Sequence, residues 1–420
     1  MPQKFIDQTT IQPDGRPGDD AFTAFATCNE NFQDTEQRLT ALEASGQDVE
    51  DLKNDLQQEK QLRDDADTAL SQAIAAEVTA RQNADAALGA RIVGKNVLIN
   101  GSFMFWQRGT NRPEIDTGYA PRYFTADRWY IASAGTKLTM AQAAFPKGQT
   151  EVPGNPRFHL TCSSNSGLAA SNLGYFGQVI EGVDVLAGEV VTLSFYARTN
   201  VVAKLGVSIV QSFGTGGNPD PEVNLVLPVQ NIPGPTWQRY TLTFTMPSIA
   251  GKNLGSGHHT RIRFWMDVGS NYTNIAGAVG NQTFVIDIAQ AQLERGPTAT
   301  AFDERPLGLE LMLCQRYYEK SYDLGISPGS QNTNGRVNAF YDKQGGGSTA
   351  DIRFSVRKRV PPAVSIYSDN TGQINSISAA NGMSGTVQSV MNVGENGCQV
   401  NYTPATSWGA SFHYTADAEI

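Results

Sequence analysis

Few residues in this chain have types and spacing suited to covalent chemistry. In "LCQRYYEKSY", at 313–322, Cys314 has Glu310 four residues before it and Arg316 two after it, the make-up of a thiolate with helpers. After Pro306, however, Leu307, Leu311, Cys314 and Tyr318 recur on one apolar helical face, while Glu310 and Arg316 project elsewhere. No histidine lies nearby in sequence to activate the thiol, so the stretch reads as a short closing helix whose cysteine alkylates slowly. The histidines are His159, His258, His259 and His413, and no GxSxG elbow accompanies them. Asp127, Glu181 and Asp287 lie on or beside candidate strands, but a glycosidase pair is defined by distance in space. Hydrogen bonding at loops and sheet edges is their simpler role. Cys28, Cys162, Cys314 and Cys398 form no CxxC pair and have no histidine at ligand spacing. The expectation is therefore no enzyme, no cofactor and no metal.

Aromatic residues beside polar ones are the more informative pattern. "FMFWQRG" supplies Phe103, Phe105, Trp106, Gln107 and Arg108, and "ADRWY" supplies Asp127, Arg128, Trp129 and Tyr130. In "RIRFWMDV", alternation puts Trp265 opposite Phe264 and on one face with Arg263 and Asp267. A sugar stacks its C–H face on an aromatic ring and directs its hydroxyls to such polar partners, so Trp265, Arg263 and Asp267 are glycan-binding candidates. Nearer the C-terminus, Trp408, His413 and Tyr402 join them, His413 as a surface residue of the last strand. Arg357, Lys358 and Arg359 form a basic run before Pro361 that could meet a sugar or an anionic group.

The elements carrying these residues follow from periodicity. From Phe32 to Ile92 there is no proline, and Leu, Ala, Gln, Asp and Glu dominate, which predicts one helix of about 90 Å. Leu42, Val49 and Leu56 repeat every seven residues with Leu39 and Leu52 beside them, a coiled-coil seam that needs other chains and admits a dimer or a trimer. Beyond Leu62 the spacing drifts through Ala66, Leu70 and Ile74 to Ala84, Leu88 and Ile92. Period-two alternation in "RYTLTFTM", "RIRFWMDV" and "TFVIDIAQ", with "EVVTLSFYAR" and turn-rich connections, predicts an antiparallel β-sandwich of jelly-roll type. "RVNAFYD", "ADIRFSV", "AVSIYS", "TVQSVMNV", "CQVNYT" and "SFHYTADA" predict a second, smaller β domain.

The resulting plan is mainly β with an N-terminal α-helical coiled-coil stalk. It comprises a Pro/Gly/Asp-rich segment 1–31, a stalk 32–94, a sandwich 95–304, a connecting helix 305–322 and a distal β tip 323–420. The net charge of −9 is concentrated in residues 1–92, which hold 18 acidic and 8 basic residues; the rest sums to +1, so phosphate-backbone binding is not expected. No apolar signal core or membrane-length run is present, and neither secretion nor membrane insertion is expected.

"NVLINGSFMFWQRG" and "YFTADRWY" resemble the start of a jelly-roll domain of bacteriophage tail fibres, and "FVIDIAQAQLERGPTATAFDERPLGLELMLCQRYYEKSY" resembles its end. The sandwich also resembles carbohydrate-binding modules. The resemblance implies a homotrimeric virion protein, present in the host cytoplasm before assembly. Its N-terminal segment, through Phe5, Pro13, Asp19, Asp20 and Phe22, would dock on a tail or baseplate protein. Its β domains would meet a bacterial surface polysaccharide or outer-membrane receptor, with avidity from linked copies. A purely structural fibre or adaptor, or a capsule-degrading glycosidase acting through Asp127, Glu181 and Asp287, are the alternatives.

Overall fold

The computed structural model describes the 420-residue chain except residues 1–6, 8–9, 12–14, 16–17, 19–20, 46–48, 92–93, 119–122, 340–347, 380–383 and 404–408. Phe5, Pro13, Asp19, Asp20 and Trp408 therefore lie outside the described residues, as do the side chains of Leu42, Val49, Ala84 and Leu88. The chain forms two units, residues 1–91 and 92–420.

The first unit holds two helices where the sequence predicts one. Helix α1 spans Ala21–Ser45 and α2 spans Val49–Arg91. Gly46, the poorest helix former between Phe32 and Leu88 in sequence, lies outside the described residues. Lys60 and Arg63 of α2 lie over the Phe32 ring of α1, at 5.7 and 4.8 Å from its centroid, so α2 doubles back along α1. Helix also starts earlier than expected, inside the predicted docking segment, and the exposed Phe22 sits in its first turn. Among the seam residues Leu52 is buried, whereas Leu62 and Ile74 are exposed, as is Val78 one turn beyond Ile74.

The second unit is built on antiparallel sheets. Its chain runs β1 (Asn111–Ile115), β2 (Tyr123–Phe124), β3 (Trp129–Ala134), β4 (Thr136–Ala144), β5 (Phe158–Ser166), β6 (Leu173–Glu181), β7 (Val190–Thr199) and β8 (Ala203–Ser212). It continues with β9 (Val223–Val226), β10 (Gln230–Ile232), β11 (Gln238–Thr245), β12 (His259–Val268), the short helix α3 (Thr273–Ala276) and β13 (Phe284–Arg295). One sheet has the order β1-β4-β5-β13-β7-β11, and the facing sheet β10-β8-β12-β6-β3-β2 with β9 on β8. The chain thus crosses repeatedly between sheets. Val191, Leu193, Phe195 and Ala197 of β7 point inward with Ile286 and Ile288 of β13, against Phe176, Val207, Ile262 and Phe264 of the other sheet, in one buried core. The three strands singled out by alternation are β11, β12 and β13, and the segment rich in β-branched residues is β7.

After α4 (Leu307–Gln315) come β14 (Tyr318–Lys320), β15 (Val337–Ala339), β16 (Ser348–Arg353), β17 (Ala363–Tyr367), β18 (Ser376–Ala379), β19 (Ser384–Gly394), β20 (Gly397–Thr403) and β21 (Ala410–Asp417). They make an eight-stranded sheet in which β21 pairs with β14, β15, β17 and β18. The expected connecting helix is therefore shorter than 305–322, because Tyr318–Lys320 already belongs to the tip sheet.

Candidate functional site

Most of the aromatic and polar residues singled out in the sequence are framework. Trp265 is 1% exposed; its ring packs on Tyr175 with centroids 4.5 Å apart, beneath Ala276 of α3 and Val279, and its Nε1 donates to Ser208 Oγ at 2.9 Å. The outer face of β12 is covered at this point, so Trp265 offers no surface to a sugar. Asp267 is buried and accepts from Gln282 N at 2.8 Å, Asn281 Nδ2 at 3.2 Å and Thr136 Oγ1. Arg263 is half-buried, its guanidinium 5.1 Å from the Tyr175 ring centroid.

The tip residues are corrected in the same way. Tyr402 is buried in the tip core. His413, expected at the surface, is fully buried: it stacks on Tyr322 with centroids 3.7 Å apart, Nε2 donates to the Asn332 carbonyl at 2.8 Å, and Nδ1 accepts from Ser321 Oγ at 2.9 Å. Both faces of β21 are covered, so alternation there does not separate core from surface. Burial lowers the His413 pKa against the raising effect of its bond to Asn332.

The basic run is engaged within the protein, although Arg357 is exposed and Arg359 half-buried. Lys358 is fully buried, and its ammonium donates to Gln315 O at 2.6 Å, Val356 O at 3.0 Å and Glu319 Oε2 at 2.6 Å. Arg359 donates to the carbonyls of Ala418 and Glu419, and Arg357 pairs with Glu395.

The blocks that carry the resemblance form the joint between sandwich and tip. Asn96 Oδ1 accepts from Leu98 N and Leu293 N, and Asn100 Nδ2 donates to the carbonyls of Phe105 and Asp127. A Cβ on Gly101 would lie 2.1 Å from the Ala291 carbonyl oxygen, hence the Asn-Gly at this crossing. Gln107 Nε2 donates to Asp127 Oδ2 at 2.7 Å and to Tyr318 O at 2.9 Å. The Arg108 and Arg128 guanidiniums lie over Tyr318 and Tyr317, at 3.6 and 3.4 Å from the ring centroids, and reach Asp417 and Glu419 near the chain's end. Burial pushes Arg128 down to about 10 and raises Asp127 against the field of Arg108. Cys314 is fully buried between these groups, and desolvation drives its thiol well above the usual range.

The three acidic residues considered for glycoside cleavage are each engaged. Asp127 is held by Gln107, while Glu181 takes Arg316 at 3.0 Å and the Tyr317 hydroxyl at 2.9 Å. Asp287 takes Arg198 Nε at 2.8 Å and Thr161 Oγ1 at 2.7 Å, with His159 at 3.7 Å. Burial lowers the His159 pKa despite Asp287 beside it. Among the described residues no group of three His, Cys, Asp or Glu side chains could hold a metal, and no helix is long and apolar enough to cross a membrane.

The arrangement best suited to a ligand lies on the outer face of the β1-β4-β5-β13-β7-β11 sheet. Inward Val191, Leu193, Phe195 and Ala197 leave Ser194 and Tyr196 on this face, and the register places Arg239 of β11 directly beside Tyr196. Between Ala289 and Gln292 the β13–β7 register slips, and Gln290 takes a positive φ of 50°. This bulge turns the Gln290 amide to the Pro153 carbonyl at 2.7 Å and pins a loop over the strand. With Ala301, Phe302 and Glu304 these residues enclose a cleft of about 280 Å³. Arg239 is fixed by Ser194 Oγ and the Thr300 carbonyl, and Tyr196 is backed by Val152, Trp237 and Ala289. Glu304 is exposed and has no hydrogen bond or ion pair among the described residues. Two rings set among a guanidinium, an amide, a hydroxyl and an open carboxylate can stack a sugar face and read its hydroxyls. The sequence reasoning missed this site. Its available signal was Tyr196, an aromatic on the otherwise polar outer register Thr192, Ser194, Arg198 of a strand whose other face is wholly apolar.

The class defined by the fold is a mainly β protein: a two-sheet β-sandwich joined to a second sheet, preceded by two helices. No family model matches the chain, and no curated protein does. Among solved structures, it is similar to the enzymatically active domain of bacteriophage CBA120 tailspike protein 4, with 16% identity over 48% of this chain and 22% of that one, at a TM-score of 0.27. It is similar to the CBM22-1 xylan-binding domain from Paenibacillus barcinonensis, with 13% identity over 40% of this chain and 87% of that one, TM-score 0.25. A putative sugar binding protein from Bacteroides thetaiotaomicron is 12% identical over 48% of this chain and 100% of its own, TM-score 0.30. Scores this low leave the chain's own geometry to carry any functional reading.

Proposed function

We propose that this chain is a non-enzymatic receptor-binding fibre of a phage tail that holds a bacterial surface glycan in the sandwich cleft. The observation that carries the glycan reading is the cleft itself, with Tyr196 and Phe302 beside Arg239, Gln290 and Glu304. The tail assignment rests on the resemblance of the blocks at 96–109 and 284–322 to tail-fibre domains. Attachment to a tail or baseplate protein belongs to the N-terminal segment. Assembly as a homotrimer rests on the same resemblance; the exposed Leu62, Ile74 and Val78 of α2 are compatible with packing against other chains, in a dimer as well as a trimer. In such an assembly each cleft can be individually weak, because linked copies multiply its effect.

The test is binding of the full chain to an array of bacterial surface polysaccharides, repeated with Tyr196→Ala and Phe302→Ala. Retention that both substitutions reduce supports the cleft. Retention that neither changes overturns it, and no retention on any bacterial polysaccharide favours a purely structural fibre.

A further inference from the structure

A second built cleft lies in the tip, away from every residue used above for glycan binding. It has a volume of about 330 Å³ and sits where β16, β20 and the end of β19 meet. The register places Asp351 directly beside Gln399, and Met391 on the other side of Gln399. The β19–β20 register then slips between Met391 and Gly394, and Asn392 takes a positive φ of 49°, which swings its amide onto the same row.

The row is a fixed hydrogen-bond ladder. Asn392 Nδ2 donates to Gln399 Oε1 at 2.6 Å, and Gln399 Nε2 donates to Asp351 Oδ1 at 2.9 Å. Gln399 is thereby locked in one orientation, leaving Asp351 Oδ2 and Asn392 Oδ1 as acceptors and a second Asn392 N–H as donor. The floor is equally set: Phe354 N donates to Asn396 O at 3.0 Å, and a Cβ on Gly397 would fall 2.2 Å from the Ile352 carbonyl oxygen, so the turn lies hard against β16.

Arg353 completes the cleft. It is exposed and has no hydrogen bond or ion pair among the described residues, while the nearby Glu395 is already taken by Arg357. A free guanidinium beside fixed acceptors and a donor matches an anionic group next to a diol.

We propose that this tip cleft is a second saccharide site that takes an acidic sugar, a ring bearing a carboxylate or phosphate beside free hydroxyls. Arg353 clamps the anion, and Asp351 and Asn392 read the hydroxyls. The proposal stands independently of the sandwich cleft, which is built around Tyr196 and Phe302.

Isothermal titration of the full chain at low salt with a galacturonate oligomer, a sugar phosphate and a neutral galactose oligomer of matching length tests it. At least one anionic probe should bind, more tightly than the neutral one. Arg353→Ala should weaken that binding by about ten- to a hundredfold, Arg353→Lys should weaken it less, and Tyr196→Ala should leave it unchanged. Arg353 is exposed and unpartnered, so its substitution should not alter the unfolding temperature. Equal binding of neutral and anionic probes, absence of anionic binding, or an unaffected Arg353→Ala variant would overturn the proposal.

Discussion

Replacing Lys358 with Met probes the joint that fixes the tip sheet against its connecting helix. The ammonium spends its three N–H groups on Gln315 O, Val356 O and Glu319, and no part of the side chain is exposed. Glu319 is 1% exposed and also accepts from Ser355 N at 3.0 Å and Tyr414 Oη at 2.7 Å. Methionine matches the volume but leaves a buried carboxylate without its counter-charge and two carbonyls without donors. Breaking a buried pair from one side costs about 3–5 kcal/mol. Arg295→Ala, which removes an exposed pair with Glu189 whose side chains are 59% and 43% accessible, should cost no more than about 1 kcal/mol. Urea unfolding followed by tryptophan fluorescence measures both. Adding Glu319→Gln to Lys358→Met should recover part of the loss, because a neutral amide tolerates burial better than an unpaired carboxylate. A Lys358→Met cost no larger than that of Arg295→Ala, or a double variant no better than the single, would refute the reasoning.

Thiol labelling and pH supply further checks. Of the four free cysteines, Cys162, Cys314 and Cys398 are buried and Cys28 is half-exposed. Iodoacetamide at neutral pH should therefore label Cys28 first in the native protein, and Cys314 only after unfolding; early modification of Cys314 would contradict its place in the joint. His159 and His413 both have pKa values lowered by burial, His159 against Asp287 and together with Arg198, His413 against Asp369 and together with Arg336. A lowered folded-state value means that the unfolded chain binds more protons. The stability is thus fully present above the ordinary value of about 6.5 and is lost as pH falls through the lowered one. The unfolding temperature should fall between pH 7.5 and pH 5, and less steeply in a His413→Gln variant; a profile identical to that of the unsubstituted protein would remove His413 as a contributor.

Strands were legible in the sequence because alternation in β11, β12 and β13 reports a buried face directly, and β7 carries a run of β-branched residues. What alternation cannot report is the fate of the other face. Trp265 lies on an outer face that α3 covers, and His413 on a strand enclosed on both sides, so both looked exposed and are not. The helical composition of residues 32–91 was equally plain, but a continuous polar-apolar run did not reveal that α2 doubles back along α1. The joint was misread for a different reason. Gln107, Arg108, Asp127 and Arg128 have the chemistry of ligand recognition, and their ligands turn out to be the Tyr317–Tyr318 segment and the last residues of the chain. The sandwich cleft depends on a bulge at Gln290 and on loops at 153–154 and 301–304, and no periodic pattern brings those three segments together.

The central claim is that Tyr196 and its neighbours on the outer sandwich face bind a glycan. Its most direct test is the affinity of the full chain and of Tyr196→Ala for a polysaccharide fragment selected on the array. The side chain is backed by Val152 and Trp237 but lies outside the main core, so the variant should fold normally. The account predicts affinity at least about tenfold weaker in the variant, the loss expected of a central aromatic contact; equal affinity in the two proteins would contradict it.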